Sequence, residues 1–230
     1  MKKRFGIIAA IFTVTMLSAC GNNAAEDSTT SESKNETSVS TIQDKEKFGN
    51  SLVVYFSMPE TDDSENMTEE EENSAVVIAG KVLGNTQYVA ETIQTQLGAE
   101  IFRIEPETAY PTDHEKLVDL ANQEQEDKAR PAIKEKIAAI DQYDTIFLGY
   151  PNWWGDMPMI LYSFLDEADL AGKTIIPFNT HGGSGFSDTI NSIKQEEPEA
   201  TVIEEGYSVN RDAAAESKPE IIAWLNDLDI

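Results

Sequence analysis

Short apolar runs recur along residues 51–230 and predict the strands of one sheet. The runs Leu52–Phe56, Glu100–Ile104, Thr145–Tyr150, Thr174–Asn179 and Thr201–Tyr207 contain many β-branched and aromatic residues, which favour strands. The first run is apolar throughout, a pattern typical of a strand that is buried on both faces. We therefore predict five strands.

Amphipathic helices are predicted between and after these strands. Apolar residues recur at helical spacing within Thr86–Leu97, and Gly98 follows as a natural C-cap. A long polar helix is predicted from Asp113 to an interruption near Pro131. Further helices are predicted over Pro158–Leu165, Phe186–Lys194 and Ala213–Leu228.

This alternation of strands and helices predicts a doubly wound α/β fold, in which helices cover both faces of a parallel sheet through right-handed crossovers. Sheets of this kind bind ligands beyond the carboxyl ends of their strands, where the strand order reverses. The loops after the first, third and fourth strands are therefore the candidate sites.

The first loop leaves its strand through Ser57, and Gly84, Asn85 and Thr86 open the following helix. A helix N-terminus presents free N–H groups and a positive dipole end, and hydroxyl groups add neutral donors. An anion such as a phosphate could bind here without any lysine or arginine. The alternative is that Asn85 or Thr86 is a plain N-cap.

The second loop, GYPNWWGDMP at 149–158, places two adjacent tryptophans at the expected mouth of the sheet. A flat heteroaromatic ring can stack on an exposed indole and remove both surfaces from water. Trp154, next to Gly155, is the better candidate for such a ring, and one of the two tryptophans could be structural. The alternative is that both indoles pack against a neighbouring helix.

The third loop, THGGSG at 180–185, has three glycines that let backbone N–H groups approach a ligand closely. His181 could orient that ligand or relay a proton, or it could be a hydrogen-bonded structural histidine. The other histidine, His114, is expected to be solvated at the start of its helix.

Residues 58–83 interrupt the first loop. The segment is acidic over Glu60–Glu72 and ends in two short apolar runs around Ala79 and Gly80, which predicts a small hairpin. It could cover the site as a lid or a docking surface, or it could be a surface excursion with a solvated acidic tip.

The N-terminus predicts an exported protein. Three basic residues precede an apolar run from Phe5 to Leu17, which is too short to span a bilayer and is typical of a signal peptide over residues 1–19. Small residues before Cys20 resemble the cleavage and acylation site of bacterial lipoproteins. The polar composition of residues 20–50 predicts a disordered tether, and residues 51–230 predict one domain.

Charge and cysteine content exclude several classes of function. The formal net charge of −25 disfavours binding to nucleic acid or anionic headgroups and favours basic partners or cations. The alternative is that this charge serves solubility alone. Cys20 is the single cysteine in the chain, so its acylation leaves no thiol for a disulfide or a zinc site. No cluster of metal ligands and no catalytic triad is apparent in the sequence.

Taken in order, the elements YFS, GNT, VA, Trp-Gly and Gly-Ser-Gly resemble those of a flavodoxin, from about Leu52 to the C-terminus. More closely, the chain resembles bacterial flavodoxin-like proteins whose first loop is interrupted between the serine and GNT. The resemblance implies the strand order 2-1-3-4-5 with FMN at the switch point. By position it implies a cofactor site made of Ser57, Gly84, Asn85, Thr86, Pro151, Asn152, Trp153, Trp154, Gly155, Thr180, His181, Gly182, Gly183, Ser184 and Gly185.

We therefore expect a lipid-anchored, extracytoplasmic electron-transfer protein that uses FMN and serves redox partner proteins with basic surfaces or a small-molecule acceptor. One alternative is an FMN-dependent reductase that takes hydride from a visiting NAD(P)H and reduces a quinone. Another is a binding module that has kept the fold and lost the cofactor. No GxGxxG segment indicates a separate nucleotide domain.

Overall fold

The structure is a computed structural model that describes residues 41–230. The predicted signal peptide, Cys20 and most of the predicted tether lie outside these residues. In chain order the elements are β1 (Ser51–Tyr55), α1 (Glu69–Ser74), β2 (Ala75–Ile78), β3 (Lys81–Gly84), α2 (Asn85–Leu97), β4 (Glu100–Arg103), α3 (His114–Asp127), β5 (Thr145–Pro151), α4 (Met159–Glu167), β6 (Thr174–His181), α5 (Thr189–Glu196), β7 (Thr201–Val202), β8 (Tyr207–Asn210) and α6 (Lys218–Asp227).

The central sheet is parallel and has the order β4-β1-β5-β6-β7, with β8 also paired to β6. When β7 and β8 are taken as two halves of one position, this is the predicted order 2-1-3-4-5. The predicted fold class is confirmed, but the sheet has six strands rather than five.

Pro177 explains the split of the last strand. The N–H of Ile203 donates to the carbonyl oxygen of Ile175 at 2.9 Å, so Ile175 faces the β7 side of β6. Because residues two apart on a strand face the same side, Pro177 faces that side too, and it has no N–H to donate. The neighbouring chain leaves the ladder after β7 and returns as β8, with Gly206 packed close to the Pro177 carbonyl.

Helices cover both faces of the sheet, as predicted. The helices α2 and α6 bury apolar side chains such as Val89 and Ile221 against one face. On the other face lie α3, α4 and α5, which contribute residues such as Leu117, Ile160 and Ile193. The C-terminal helix is shorter than predicted, because a 3-10 helix over 211–216 precedes it. None of the helices within 41–230 has the length and apolarity needed to cross a bilayer.

The folded part begins before residue 51. Ile42 and Phe48 are 8% and 1% exposed and pack into the core beside α6, and the Phe48 ring lies 5.4 Å from the Phe147 ring. Residues 41–50 were assigned to the disordered tether because they contain few apolar residues. Two buried anchors are enough to dock them on the sheet.

The insertion contains the predicted hairpin and one helix that was not predicted. Strands β2 and β3 pair antiparallel across a turn in which Ala79 and Gly80 have positive φ angles. The unpredicted helix α1 begins with a capping box between Thr68 and Glu71, a signal that stabilises the first turn of a helix.

Candidate functional site

A cleft of about 340 Å³ lies at the carboxyl edge of the sheet, the edge where parallel α/β sheets bind ligands. The loops after β1, β5 and β6 all contribute to it, together with the insertion, one face of α3 and the residue after β8. The three loops that the sequence singled out therefore meet at one place.

The end of β1 and the start of α2 are joined through Ser57. Its hydroxyl oxygen accepts the backbone N–H of Gln87 at 3.2 Å, which leaves the hydroxyl hydrogen free to donate. A Cβ on Gly84 would lie 2.1 Å from that oxygen, so the contact requires glycine. Helix geometry leaves the N–H groups of Asn85 and Thr86 without intrahelical acceptors. This corner therefore offers several neutral donors to an anion.

Two buried threonines connect the first loop to the third at the floor of the cleft. The hydroxyls of Thr86 and Thr180 are 2.8 Å apart, and the two residues are 1% and 3% exposed. The carbonyl oxygen of Thr180 in turn accepts the Asn152 N–H at 2.8 Å. The three loops thus form one hydrogen-bonded unit.

Trp153 is part of the core beneath the cleft. Its ring meets the rings of Phe56 and Tyr110 edge to face, with centroids 5.5 and 5.9 Å away. Such arrangements are favourable because the positive ring edge meets a negative ring face. Trp153 therefore both packs in this aromatic cluster and lines the cleft.

Trp154, in contrast, is 56% exposed at the cleft. Its backbone has a φ of +54°, an unusual conformation for a residue with a side chain. The indole N–H donates to the carbonyl oxygen of Val118 at 3.2 Å, which holds the ring against α3. An apolar surface is therefore held in place at the cleft, although exposing it to water is costly.

Asparagine side chains brace the glycine-rich third loop. The amide groups of Asn152 and Asn179 both donate to the carbonyl oxygen of Gly185, at 2.9 and 2.7 Å. The oxygen of the Asn152 side chain accepts the Gly155 N–H at 3.1 Å. These bonds fix the positions of the second and third loops relative to each other.

His181 is a neutral hydrogen-bond donor in this arrangement. Its Nδ1 lies 2.8 Å from the backbone N of Gly183, so Nδ1 accepts and the proton of the ring lies on Nε2. Burial lowers the pKa of His181, because removal from water disfavours the charged ring. At neutral pH the ring can therefore offer its Nε2–H to a ligand acceptor.

The insertion is tied to both walls of the cleft. On one side the Glu60 carboxylate, 8% exposed, lies 3.0 Å from Nδ1 of His114 on α3. On the other side the Asn85 side-chain amide donates to the Asn73 carbonyl oxygen at 2.9 Å. The Ser74 hydroxyl oxygen accepts the Glu60 N–H at 2.9 Å, which links the two attachments. We call residues 58–74 the strap.

Most of the predicted site residues line the cleft, and five do not. The lining includes Ser57, Asn85, Thr86, Pro151, Asn152, Trp153, Trp154, Thr180, His181 and Gly182. Gly84, Gly155, Gly183, Ser184 and Gly185 are not part of the lining, and their backbones support the loops through the contacts described above. For Ser184 that contact is its carbonyl oxygen, which accepts the N–H of Ser187 at 3.3 Å.

Several lining residues were not predicted. They come from the strap, from α3 and from the end of β8, and comprise Met58, Glu60, Asn73, Ser74, His114, Leu117, Val118, Ala121 and Arg211. His114 is exposed, as expected, with 45% of its side chain accessible, but it is also paired with the buried carboxylate of Glu60. The positions 114, 117, 118 and 121 share one helical face, a signal in the sequence that was not used.

One buried polar atom at the cleft has no hydrogen-bond partner within residues 41–230. It is the side-chain oxygen Oδ1 of Asn85, a residue that is 5% exposed. A buried acceptor without a donor is costly, and buried polar atoms are normally satisfied. The cleft therefore suits a ligand that brings a hydroxyl or N–H donor to this corner.

The contact between Glu60 and His114 gives a prediction about stability. Replacing His114 with Ala leaves a buried carboxylate without its partner, so we expect the free energy of unfolding to fall by about 1–3 kcal/mol. Urea unfolding measures the change. Lys116→Ala is the control on the same helix, because its exposed ion pair with Asp113 should contribute less than about 1 kcal/mol.

A second variant separates this contact from helix effects. Adding Glu60→Gln to His114→Ala removes the unpaired charge, so the double variant should recover part of the lost stability. Equal losses for His114→Ala and Lys116→Ala would show that the strap is not held by this pair.

Comparison with known proteins is consistent with the fold and the cleft. A family model described as flavodoxin matches residues 74–228, which is more than half of the chain. No curated protein sequence matches the chain significantly.

Solved structures give the same result for the fold. A protein from Bacteroides eggerthii, provisionally assigned as a flavoprotein, is 27% identical with a TM-score of 0.53, over 76% of this chain and 98% of that one. A similarly assigned protein from Bacteroides uniformis is 25% identical with a TM-score of 0.54, over 73% and 96%. A flavoprotein from Lactobacillus acidophilus, solved in complex with FMN, is 19% identical with a TM-score of 0.51, over 73% and 97%.

The Lactobacillus structure, at its level of identity, shows likeness of fold alone. The family assignment depends instead on the matched family model, which extends from the last residue of α1 into the C-terminal segment. The chain belongs to the flavodoxin family.

Proposed function

We propose that this protein binds FMN in the cleft and transfers electrons through it, at the outer face of a membrane to which a lipid on Cys20 anchors it. The observation that carries the proposal is the exposed indole of Trp154, which lines the same cleft as a corner of anion-binding donors and an unpartnered buried acceptor. The family assignment and the FMN complex of the Lactobacillus flavoprotein support the choice of cofactor.

The residues present fit the parts of FMN. The Ser57 hydroxyl and the N–H groups at the start of α2 would hold the phosphate. The unpartnered oxygen of Asn85 would accept a hydrogen bond from a ribityl hydroxyl. Trp154 would cover one face of the flavin ring, and the Nε2–H of His181 would donate to an acceptor on the ring.

When bound, FMN supplies one- or two-electron redox chemistry. The protein supplies orientation and electrostatics. Because the loops are braced by Asn152, Asn179 and the Thr86–Thr180 contact, little rearrangement would be needed on binding. The acidic chain favours redox partner proteins with basic surfaces.

A reductase of small molecules is the second candidate, and the geometry beside Trp154 favours it specifically. The face of α3 at 117, 118 and 121 adds an apolar wall to the cleft, next to the His114 ring. The Glu60 carboxylate can only accept at Nδ1 of that ring, which leaves Nε2 for another partner. A quinone-type acceptor and a visiting NAD(P)H would both meet apolar surface and a hydrogen-bonding group here.

The third candidate, a module without a cofactor, is disfavoured. Such a module would keep an exposed tryptophan in a strained backbone conformation and a buried unpartnered oxygen without benefit. Each of these features costs free energy in the folded state, and a flavin would offset both.

The first prediction of the proposed function is that the purified protein retains FMN. After mixing with FMN and removal of free ligand by gel filtration, the visible flavin absorption should elute with the protein. Anaerobic photoreduction then distinguishes reduction in two one-electron steps, expected of an electron carrier, from a single two-electron step, expected of a reductase. A colourless protein after this treatment would favour the module without a cofactor.

The second prediction compares the two tryptophans. Trp154→Ala should raise the dissociation constant for FMN by roughly 10-fold or more, because a stacking surface is lost, and should change the free energy of unfolding little. Trp153→Ala should chiefly destabilise the fold, since it empties the aromatic cluster with Phe56 and Tyr110.

Fluorescence titration with FMN and urea unfolding measure the two effects. Trp154→Phe is the control, because it keeps a flat ring at the cleft and should lose less affinity than Trp154→Ala. Equal loss of FMN affinity in the two alanine variants would contradict the assignment of Trp154 as the stacking residue.

The third prediction concerns the anchor. In a bacterial host the wild-type protein should fractionate with membranes, because its acyl chains supply the membrane affinity. The variant Cys20→Ala should carry no lipid modification. Cell fractionation and mass spectrometry of the N-terminal peptide measure this. An unmodified N-terminal peptide from the wild-type membrane fraction would rule out the lipid anchor.

A further inference from the structure

The cleft contains a positive charge that was not expected from its loops. Among the lining residues within 41–230, Arg211 is the single lysine or arginine. Its guanidinium lies against the backbone of Gly182, where a Cβ would come within 3.3 Å of Nη1 and 3.4 Å of Cζ. The absence of a side chain at Gly182 thus makes room for the guanidinium at the third loop.

Within residues 41–230, Arg211 forms one ion pair, and that pair is long and exposed. The nearest ion-pair partner is Asp212, whose Oδ1 lies 3.8 Å from Nε and whose side chain is 81% exposed. An exposed pair at this distance contributes little. The chain has 42 acidic and 17 basic residues. Because Arg211 is paired so weakly, its guanidinium is available to bind an anion in the cleft.

The packing around Arg211 shows at which end of the cleft this residue lies. The 3-10 helix that begins at Arg211 packs through Ala214 against Val76 and Leu83 of the hairpin. The hairpin leads directly into α2, so Arg211 lies on the α2 side of the sheet. Trp154 is attached to α3, on the opposite side.

We propose that Arg211 binds the phosphate group of the flavin ligand and makes the cleft select FMN over riboflavin. This inference rests on the proposed function. It adds a charged group, from the end of β8, to the phosphate site of neutral donors that the first loop predicts.

The charge balance explains what an arginine would add to the neutral donors. A phosphate monoester carries between one and two negative charges at neutral pH, and the formal net charge of the protein is −25. A guanidinium offers a planar fork that binds phosphate oxygens in pairs. Arg211 would thus offset locally the repulsion that the rest of the protein exerts on the ligand.

The experiment compares FMN with riboflavin, which differ by the phosphate. In the purified full chain, Arg211→Gln should raise the dissociation constant for FMN by roughly 10- to 100-fold and that for riboflavin by less than about 3-fold. Arg211→Lys should lie between wild type and Arg211→Gln, because it keeps the charge and loses the fork. Quenching of flavin fluorescence gives both constants.

Lys81→Gln is the matched control. It removes the same charge from the exposed first residue of β3, outside the cleft, and should leave the preference for FMN over riboflavin unchanged. If Lys81→Gln and Arg211→Gln lost affinity for FMN equally, the effect would come from long-range charge and the proposal would be overturned. A loss that is the same for both flavins, or no loss in Arg211→Gln, would also overturn it. Failure of wild type to bind either flavin would refute the proposed function itself, and the inference would fall with it.

Discussion

The site depends on a steric constraint at Gly84. Because a Cβ there would collide with the Ser57 hydroxyl, only glycine allows that hydroxyl to reach the first turn of α2 and accept the Gln87 N–H. This contact joins the end of β1 to the start of α2, although thirty positions separate its partners. The loop is interrupted in the sequence and continuous in space, and the other two loops pack around that junction.

The elements that the sequence predicted well carry their signals locally. Helix α2 has a regular apolar face and ends at Gly98 in the left-handed conformation, and both features are visible within about one dozen residues. The three loops of the site could also be predicted, since a parallel sheet brings its carboxyl ends to one edge. The sequence therefore predicts that residues such as Ser57, Thr180 and Trp154 lie at this edge of the sheet.

Other features depend on neighbours that are distant in sequence. The run at 201–207 looks like one strand, and what divides it is the missing N–H of Pro177 on the adjacent strand. His114 and Arg211 reach the cleft because α3 and the end of β8 pack beside it. The positions 114, 117, 118 and 121 mark one face of α3, but no local pattern shows that this face meets the cleft. Of the third-loop glycines, Gly182 lines the cleft and Gly183 and Gly185 do not, and the Asn152 side chain braces the loop at Gly185.

The two ends of the insertion come together at the junction of Ser57 and Gly84. The entropic cost of closing a loop depends only weakly on its length once its ends are fixed. The stretch between the attachments at Glu60 and Asn73 can therefore be lengthened, shortened or redesigned, while the anion-binding corner held by Ser57 and Gly84 stays in place.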